Sequence, residues 1–261
     1  MKLNGRRAFV SGSTQGIGYA IAKGLLAEGA SVVINGRSQE KVDRAVRELK
    51  AEDSDAAVSG IVADFGDSRQ TAQLVDALGE VDILVNNVGL FELASFGAIG
   101  DDDWQRYFAI NVMSGVRLAR HALPSMLANG WGRILFIGSE SGVNIPADMV
   151  HYGVTKAAML ALSNGLAKLT RGTAVTVNTI LGGPTYSAGV ADTVDALSQA
   201  QDVPADALKA AIIGGNRTSL LQRFIEPDEI ANLAVYLASP LSSATNGAAL
   251  RADGGVLTTT I

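Results

Sequence analysis

Short runs of β-branched and aliphatic residues recur along the chain, spaced so that each pair leaves room for a helix. They are RAFVS (7–11), SVVIN (31–35), AVSGIV (57–62), VDILVNN (81–87), GRILFIG (132–138) and AVTVNTI (174–180). The runs are nearly continuous in apolar character rather than alternating, the pattern of strands covered on both faces. The stretches 16–28, 38–51, 68–78, 102–128 and 150–169 between them read as helices. Strand, helix, strand repeated this often predicts a parallel sheet with right-handed crossovers, a doubly wound α/β fold of three layers, helix, sheet and helix. EPDEIANLAVYLAS (226–239) opens with Pro227 and acids in its first turn and predicts a further helix, with a last short strand in the AALRADGG that follows. Residues 182–225 break the rhythm with short helical pieces interrupted by Gly and Pro. A long strandless insertion after a strand on the ligand side predicts a lid within one domain spanning 1–261.

The composition agrees and removes several function classes. Charged residues make up 18% and aromatics 5% of the 261 residues, which suits a buried parallel sheet between helices. The net charge is −5 and the Lys and Arg residues are scattered, so there is no electrostatic footprint for nucleic acid. The absence of cysteine excludes disulfides and thiolate metal sites, and with only His121 and His151 a metal centre would rest on carboxylates; none is expected. The apolar stretch near the N-terminus is too short for a secretory signal, and no run approaches the roughly 20 residues that cross a bilayer. A cytoplasmic protein without membrane contact is the expectation.

Candidate chemistry begins at SGSTQGIG, where the first strand meets the first helix. Gly12, Gly16 and Gly18 let the chain turn tightly, and the loop Gly12, Ser13, Thr14, Gln15, Gly16, Ile17, Gly18 can bring backbone N–H groups to a pyrophosphate at the positive end of the helix. Far along the chain, YGVTK puts Tyr152 and Lys156 on one face of a helix, phenol beside ammonium. At roughly 4 Å and an effective dielectric near 20, a lysine cation favours the phenolate by about 4 kcal/mol. That predicts a tyrosine pKa lowered by about two or three units and so fit for acid–base work.

The GxxxGxG loop, NNVG (86–89), the NV at 111–112, GSESG and YGVTK stand in the order and spacing of the short-chain dehydrogenase/reductase family, in its single-domain branch. The chain resembles that family over essentially its whole length. The resemblance implies a Rossmann-type fold and a dinucleotide-dependent oxidoreductase interconverting a secondary alcohol and a ketone. It implies that Tyr152 is the acid–base residue and that Ser139 orients the substrate oxygen, with Ser141 the nearby competitor. Lys156 would bind the nicotinamide ribose, and Asn111 would hold a water on a proton path. For the cofactor it implies contacts from Asn87, Val88 and Gly89, and from Asp64 with Phe65 at the adenine, unless Asp64 only caps the next helix. It further implies a homotetramer or dimer built on helices 102–128 and 150–169 and the C-terminal strand.

The second strand ends VVINGRSQEK, with no acid before Glu40 and with Arg37 and Ser38 following directly. An arginine there attracts a 2′-phosphate where a carboxylate would bind ribose hydroxyls, so NADP(H) is favoured; NAD(H) stays possible, with Asn35 holding its ribose. After the sixth strand relatives usually read Pro-Gly, whereas this chain has Gly182, which predicts a looser backbone partly restored by Pro184. Gly183, Thr185 and Ser187 are the cofactor contacts expected from that loop. The expected substrate pocket is Glu140, Val143, Asn144, Ile145, Met149 and Tyr186, a mixture without a cationic clamp that points to a neutral ketone, hydroxyketone, sugar derivative or steroid rather than a multiply charged substrate. His151 is expected to line the pocket or the surface. The competing reading is a catalytically idle NADP(H) sensor or scaffold on the same fold, which would be expected to have lost a catalytic residue.

Overall fold

The computed structural model describes residues 3–215 and 218–260. Seven strands form one parallel sheet: β1 (Arg7–Val10), β2 (Ser31–Gly36), β3 (Val58–Val62), β4 (Ile83–Asn86), β5 (Trp131–Ile137), β6 (Ala174–Gly182) and β7 (Ala249–Ala252), in the order β3-β2-β1-β4-β5-β6-β7. The strand order reverses between β1 and β4, so the carboxyl ends of those two strands open the crevice in which such sheets bind ligands. Alternation along each strand sends side chains to two cores. Val10, Ile34, Ile83 and Leu135 pack with helices α1 (Gly16–Ala27), α2 (Gln39–Glu52) and, late in the chain, Pro227–Ala238. Phe9, Val33, Leu84 and Phe136 pack on the other face with α3 (Ser68–Leu78) and with helices from 113–128 and 150–169.

The expected helix 102–128 is not continuous. It is α4 (Asp101–Tyr107), a wide π turn over Phe108–Val112, and α5 (Met113–Ala128). A π turn inserts one residue into the helical ladder and re-aims a side chain, often at a functional site. Here the side chain is Asn111, and its amide is held by the Leu90 backbone rather than by its own helix. Helix α6 (Val150–Leu169) matches the expected span. The segment 182–225 folds into α7 (Ala188–Gln201) and α8 (Ala205–Gly215), followed by an irregular stretch leading to α9 (Pro227–Ala238). Asn216 and Arg217, within the expected lid, lie outside the described residues.

The looser backbone expected at Gly182 is absent. Strand β6 runs two residues past the predicted end, and Gly182 pairs with Ala252 of β7 as a buried strand residue. A Cβ at this position would meet only Ile230 Cδ1, at 3.6 Å, so glycine is tolerated here rather than required. Among the described residues no helix is long and apolar enough to cross a membrane.

Candidate active site

The first glycine loop is shaped by two different constraints. Gly12 and Gly16 both adopt φ of +60°, a left-handed conformation that side chains resist. Gly18 is needed for closeness instead: a Cβ there would lie 2.5 Å from the Gly12 carbonyl oxygen and 2.5 Å from Asn87 Nδ2. Asn87 ties the loop to β4 by donating to the Ser11 and Gly12 carbonyls at 3.0 and 2.9 Å. Gln15 makes no side-chain bond to the start of α1, which leaves the first helical N–H groups directed at the cleft.

That cleft has a volume of 490 Å³ and is walled by Gly12, Thr14, Gln15, Arg37, Ser38, Asp64, Phe65 and the Asn87–Gly89 turn. A second space of 240 Å³ shares Gln15, Asn87 and Gly89 with it and adds Gly16, Ile17, Tyr152, Lys156 and Ser187. A third, of 290 Å³, shares Ile17, Tyr152 and Ser187 with the second and reaches Ser139, Glu140, Met149, Gly183 and Thr185. The three form one continuous trough across the carboxyl ends of β1, β4, β5 and β6. An elongated dinucleotide fits its first two parts, with phosphates at the glycine loop and Cβ-free backbone beside them.

Some expected contacts fall elsewhere. Ser13 is fully buried, donating to the Val10 carbonyl and accepting from the Asn35 N–H, so with Gly18 it shapes the loop without lining the cleft. Asn35, the alternative ribose partner, is 1% exposed and already committed: its oxygen accepts from Gly12 N–H and its amide donates to the Ile61 and Ala63 carbonyls. Asp64 does not cap α3; Asp67 does, accepting from the Arg69 and Gln70 N–H groups, while Asp64 Oδ1 holds the Gly66 N–H at the cleft wall. In the substrate region Glu140 and Met149 line the trough, whereas Val143, Asn144 and Ile145 are exposed and outside it. Tyr186 packs on Phe224 and under Lys209, also away from it. His151 neither lines the pocket nor reaches the surface; it is 2% exposed, packed between Trp104 and Tyr107.

The four catalytic candidates come together. Ser139 lies two residues beyond β5 and caps a 3₁₀ turn, Glu140–Gly142, its hydroxyl accepting from Ser141 N–H at 3.1 Å. Lys156 donates to the Ile137 carbonyl at 2.8 Å and lies 5.5 Å from the centre of the Tyr152 ring, which Phe91 meets edge-on at 6.5 Å. Asn111 Oδ1 accepts from Leu90 N–H at 2.7 Å, and a Cβ on Gly89 would stand 3.6 Å from that oxygen and 3.5 Å from Lys156 Nζ, so both groups border one small space. Thr155, which sequence reasoning passed over, is the link: its hydroxyl accepts from Asn111 Nδ2 at 2.9 Å and donates to the Tyr152 carbonyl at 2.7 Å. Its place three residues after Tyr152 on the helix was the available signal. Lys41, one turn after Ser38 and on the cleft wall beside Arg37, was missed as well.

The expected lowering of the tyrosine pKa is overturned in the free protein. Burial holds the Tyr152 phenol above its ordinary value, against the influence of the nearby Ser139 hydroxyl and with help from Glu140 and Tyr107. Burial also pulls Lys156 down to about 8, with Glu140 opposing. Two groups removed from water each disfavour their charged form. A cation whose own charge is this weakly held does not offset the desolvation of its neighbour.

Residues 6–197 match the family model described as short chain dehydrogenase. The chain belongs to the short-chain dehydrogenase family. An uncharacterized oxidoreductase of Bacillus subtilis, YvaG, is 46% identical over 260 residues, covering 98% of both chains. The D-beta-hydroxybutyrate dehydrogenase of Cupriavidus necator is 33% identical, with 97% of this chain and 98% of that one aligned. Among solved structures, the L-sorbose reductase of Gluconobacter frateurii, complexed with NADPH and L-sorbose, superposes with a TM-score of 0.93 at 31% identity and 99% coverage of each chain. This short-chain dehydrogenase is therefore an oxidoreductase of that family with its Rossmann-like seven-stranded sheet.

Proposed function

We propose that this dehydrogenase interconverts a ketone and a secondary alcohol with NADP(H), using Ser139, Tyr152, Lys156 and Asn111. The observation that carries the reading is the trough itself, in which Tyr152 belongs to the wall of both the second space, which takes the nicotinamide in this reading, and the third beyond it. A reduced nicotinamide bound there supplies hydride to a carbonyl carbon; the protein must supply a proton to the oxygen. Tyr152 is the donor, and its raised pKa keeps the phenol protonated at neutral pH, as reduction requires. Ser139 hydrogen-bonds the same oxygen. Lys156 and Asn111 border the space through which Tyr152 is reprotonated, with Thr155 holding the Asn111 amide in register. Helices α7 and α8 act as the lid, and the cytoplasmic enzyme self-associates as a tetramer or dimer.

NADP(H) is preferred because two exposed cations, Arg37 and Lys41, flank the cleft where a 2′-phosphate would sit, while Asn35 is occupied by backbone. The sorbose reductase described with NADPH supports this choice. A charge-assisted phosphate contact is worth about 1.5–3 kcal/mol, so kcat/KM is expected to be about 10- to 100-fold higher with NADPH than with NADH. Arg37→Ala and Lys41→Ala should each shrink that ratio, chiefly through KM for NADPH. Steady-state kinetics with both cofactors checks it, and a preference for NADH in the unaltered enzyme would overturn the assignment.

A further inference from the structure

The trough contains one reactive group that ketone reduction does not use. Glu140 follows Ser139 directly and turns its half-buried carboxylate back on it: Oε2 accepts from Ser139 Oγ at 2.5 Å and Oε1 from Ser141 Oγ at 3.1 Å. It lines the third space of the trough with Met149, Tyr152 and Thr185. Among the described residues no ion pair reaches Glu140, and no Arg, Lys or His lines that space. Lys156 directs a proton at the Ile137 carbonyl. A carboxylate thus faces the substrate space with no cation in contact, and Lys156 acts on it only through space.

We propose that Glu140 selects neutral α-hydroxyketones, and the corresponding vicinal diols in the reverse direction, by accepting a hydrogen bond from the hydroxyl beside the reacting carbonyl. The inference rests on the oxidoreductase reading above. A ketone oxygen within hydrogen-bond reach of Ser139 brings the next substrate carbon beside a carboxylate oxygen that is itself in reach of Ser139. A hydroxyl on that carbon finds an acceptor; a carboxylate there meets a like charge in a half-buried space, where repulsion is poorly screened.

The arrangement also ties recognition to catalysis. Ser139 has a single hydroxyl hydrogen, and it is directed at Glu140, while its oxygen already accepts from Ser141 N–H. In that state Ser139 has no proton to offer a carbonyl. A substrate hydroxyl that replaces Ser139 as the donor to Glu140 releases the serine hydrogen, which then turns to the ketone oxygen. A simple ketone cannot make this exchange, so it loses rate as well as affinity.

The test compares 1-hydroxybutan-2-one, butan-2-one and 2-oxobutanoate with NADPH in the unaltered enzyme, Glu140→Gln and Glu140→Leu. The unaltered enzyme should favour the hydroxyketone over the plain ketone by at least about 100-fold in kcat/KM and the oxo acid least. In Glu140→Gln the amide can donate to Ser139, freeing its hydrogen. The hydroxyketone advantage should shrink at least tenfold, with butan-2-one and 2-oxobutanoate both gaining. Glu140→Leu should lose the advantage entirely, circular dichroism showing retained fold. Equal losses on all three compounds would assign Glu140 a merely structural role and overturn the proposal, as would an unaltered enzyme that does not rank them this way. No turnover of any ketone despite bound NADPH would overturn the oxidoreductase reading itself.

Discussion

Replacing Tyr152 by phenylalanine is expected to lower kcat about a thousandfold, within the 10²–10⁴ range of a positioned general acid, while KM for NADPH changes less than about twofold. The substitution removes one oxygen and keeps the ring, so the edge-on contact with Phe91 and the packing of α6 survive. What disappears is the proton donor that shares a wall with Ser139. Because burial keeps the phenol protonated in the free enzyme, the reductive direction should lose most at neutral pH. Steady-state rates with NADPH and a reducible ketone check this, and near-full activity would remove Tyr152 from the proton path.

Lys156→Met is expected to cost both terms: kcat falls about a hundredfold or more, and KM for NADPH rises about tenfold, because on the proposed mechanism the ammonium, which lines the second space, serves both the nicotinamide ribose and the proton path. The same variant carries a stability signature. Lys156 titrates near 8 in the folded protein against 10.5 ordinarily, so between those values the unfolded chain binds a proton that the native state has released. Stability therefore rises with pH from about 8 towards 10.5, by up to about 3 kcal/mol. Tyr152 works in the opposite sense above about pH 10, where the unfolded phenol ionises and the folded one does not. The clean window is thus pH 8 to 10. Denaturant midpoints of the unaltered protein should climb across it more steeply than those of Lys156→Met; parallel curves would contradict the buried, weakly charged lysine.

The sheet was legible because strands covered on both faces leave unbroken apolar runs, and six of the seven were located from that pattern to within about two residues, the seventh from its position after a helix. The helix 150–169 was equally plain. The break at Phe108–Val112 was not, since the contact that accompanies it, between Asn111 and Leu90, spans 21 residues and is invisible to local periodicity. Catalytic candidates could be picked from motif spacing, but their electrostatics could not: the Coulomb argument for a depressed tyrosine pKa omitted desolvation of both partners, and burial is a tertiary property. The pocket was misjudged for a related reason. Val143, Asn144 and Ile145 follow Ser139 closely in sequence, yet the 3₁₀ turn at Glu140–Gly142 carries them out to the surface, while Phe91, from a loop far earlier in the chain, takes the wall. Asn35 looked free to bind ribose only because its backbone partners, Gly12 on one side and Ile61 with Ala63 on the other, lie more than 20 residues away in sequence.

On the proposed mechanism, hydride crosses this trough to a ketone carbon while Tyr152 protonates the oxygen. The most direct measurement supplies NADPH deuterated at the transferring position of the nicotinamide, with a panel of ketones, and examines the alcohol product by mass spectrometry. One deuterium is expected at the carbinol carbon with the unaltered enzyme, and at least about a hundredfold less labelled product with Tyr152→Phe. Unlabelled alcohol, equal labelling by the two proteins, or no alcohol from any ketone despite bound NADPH would contradict it.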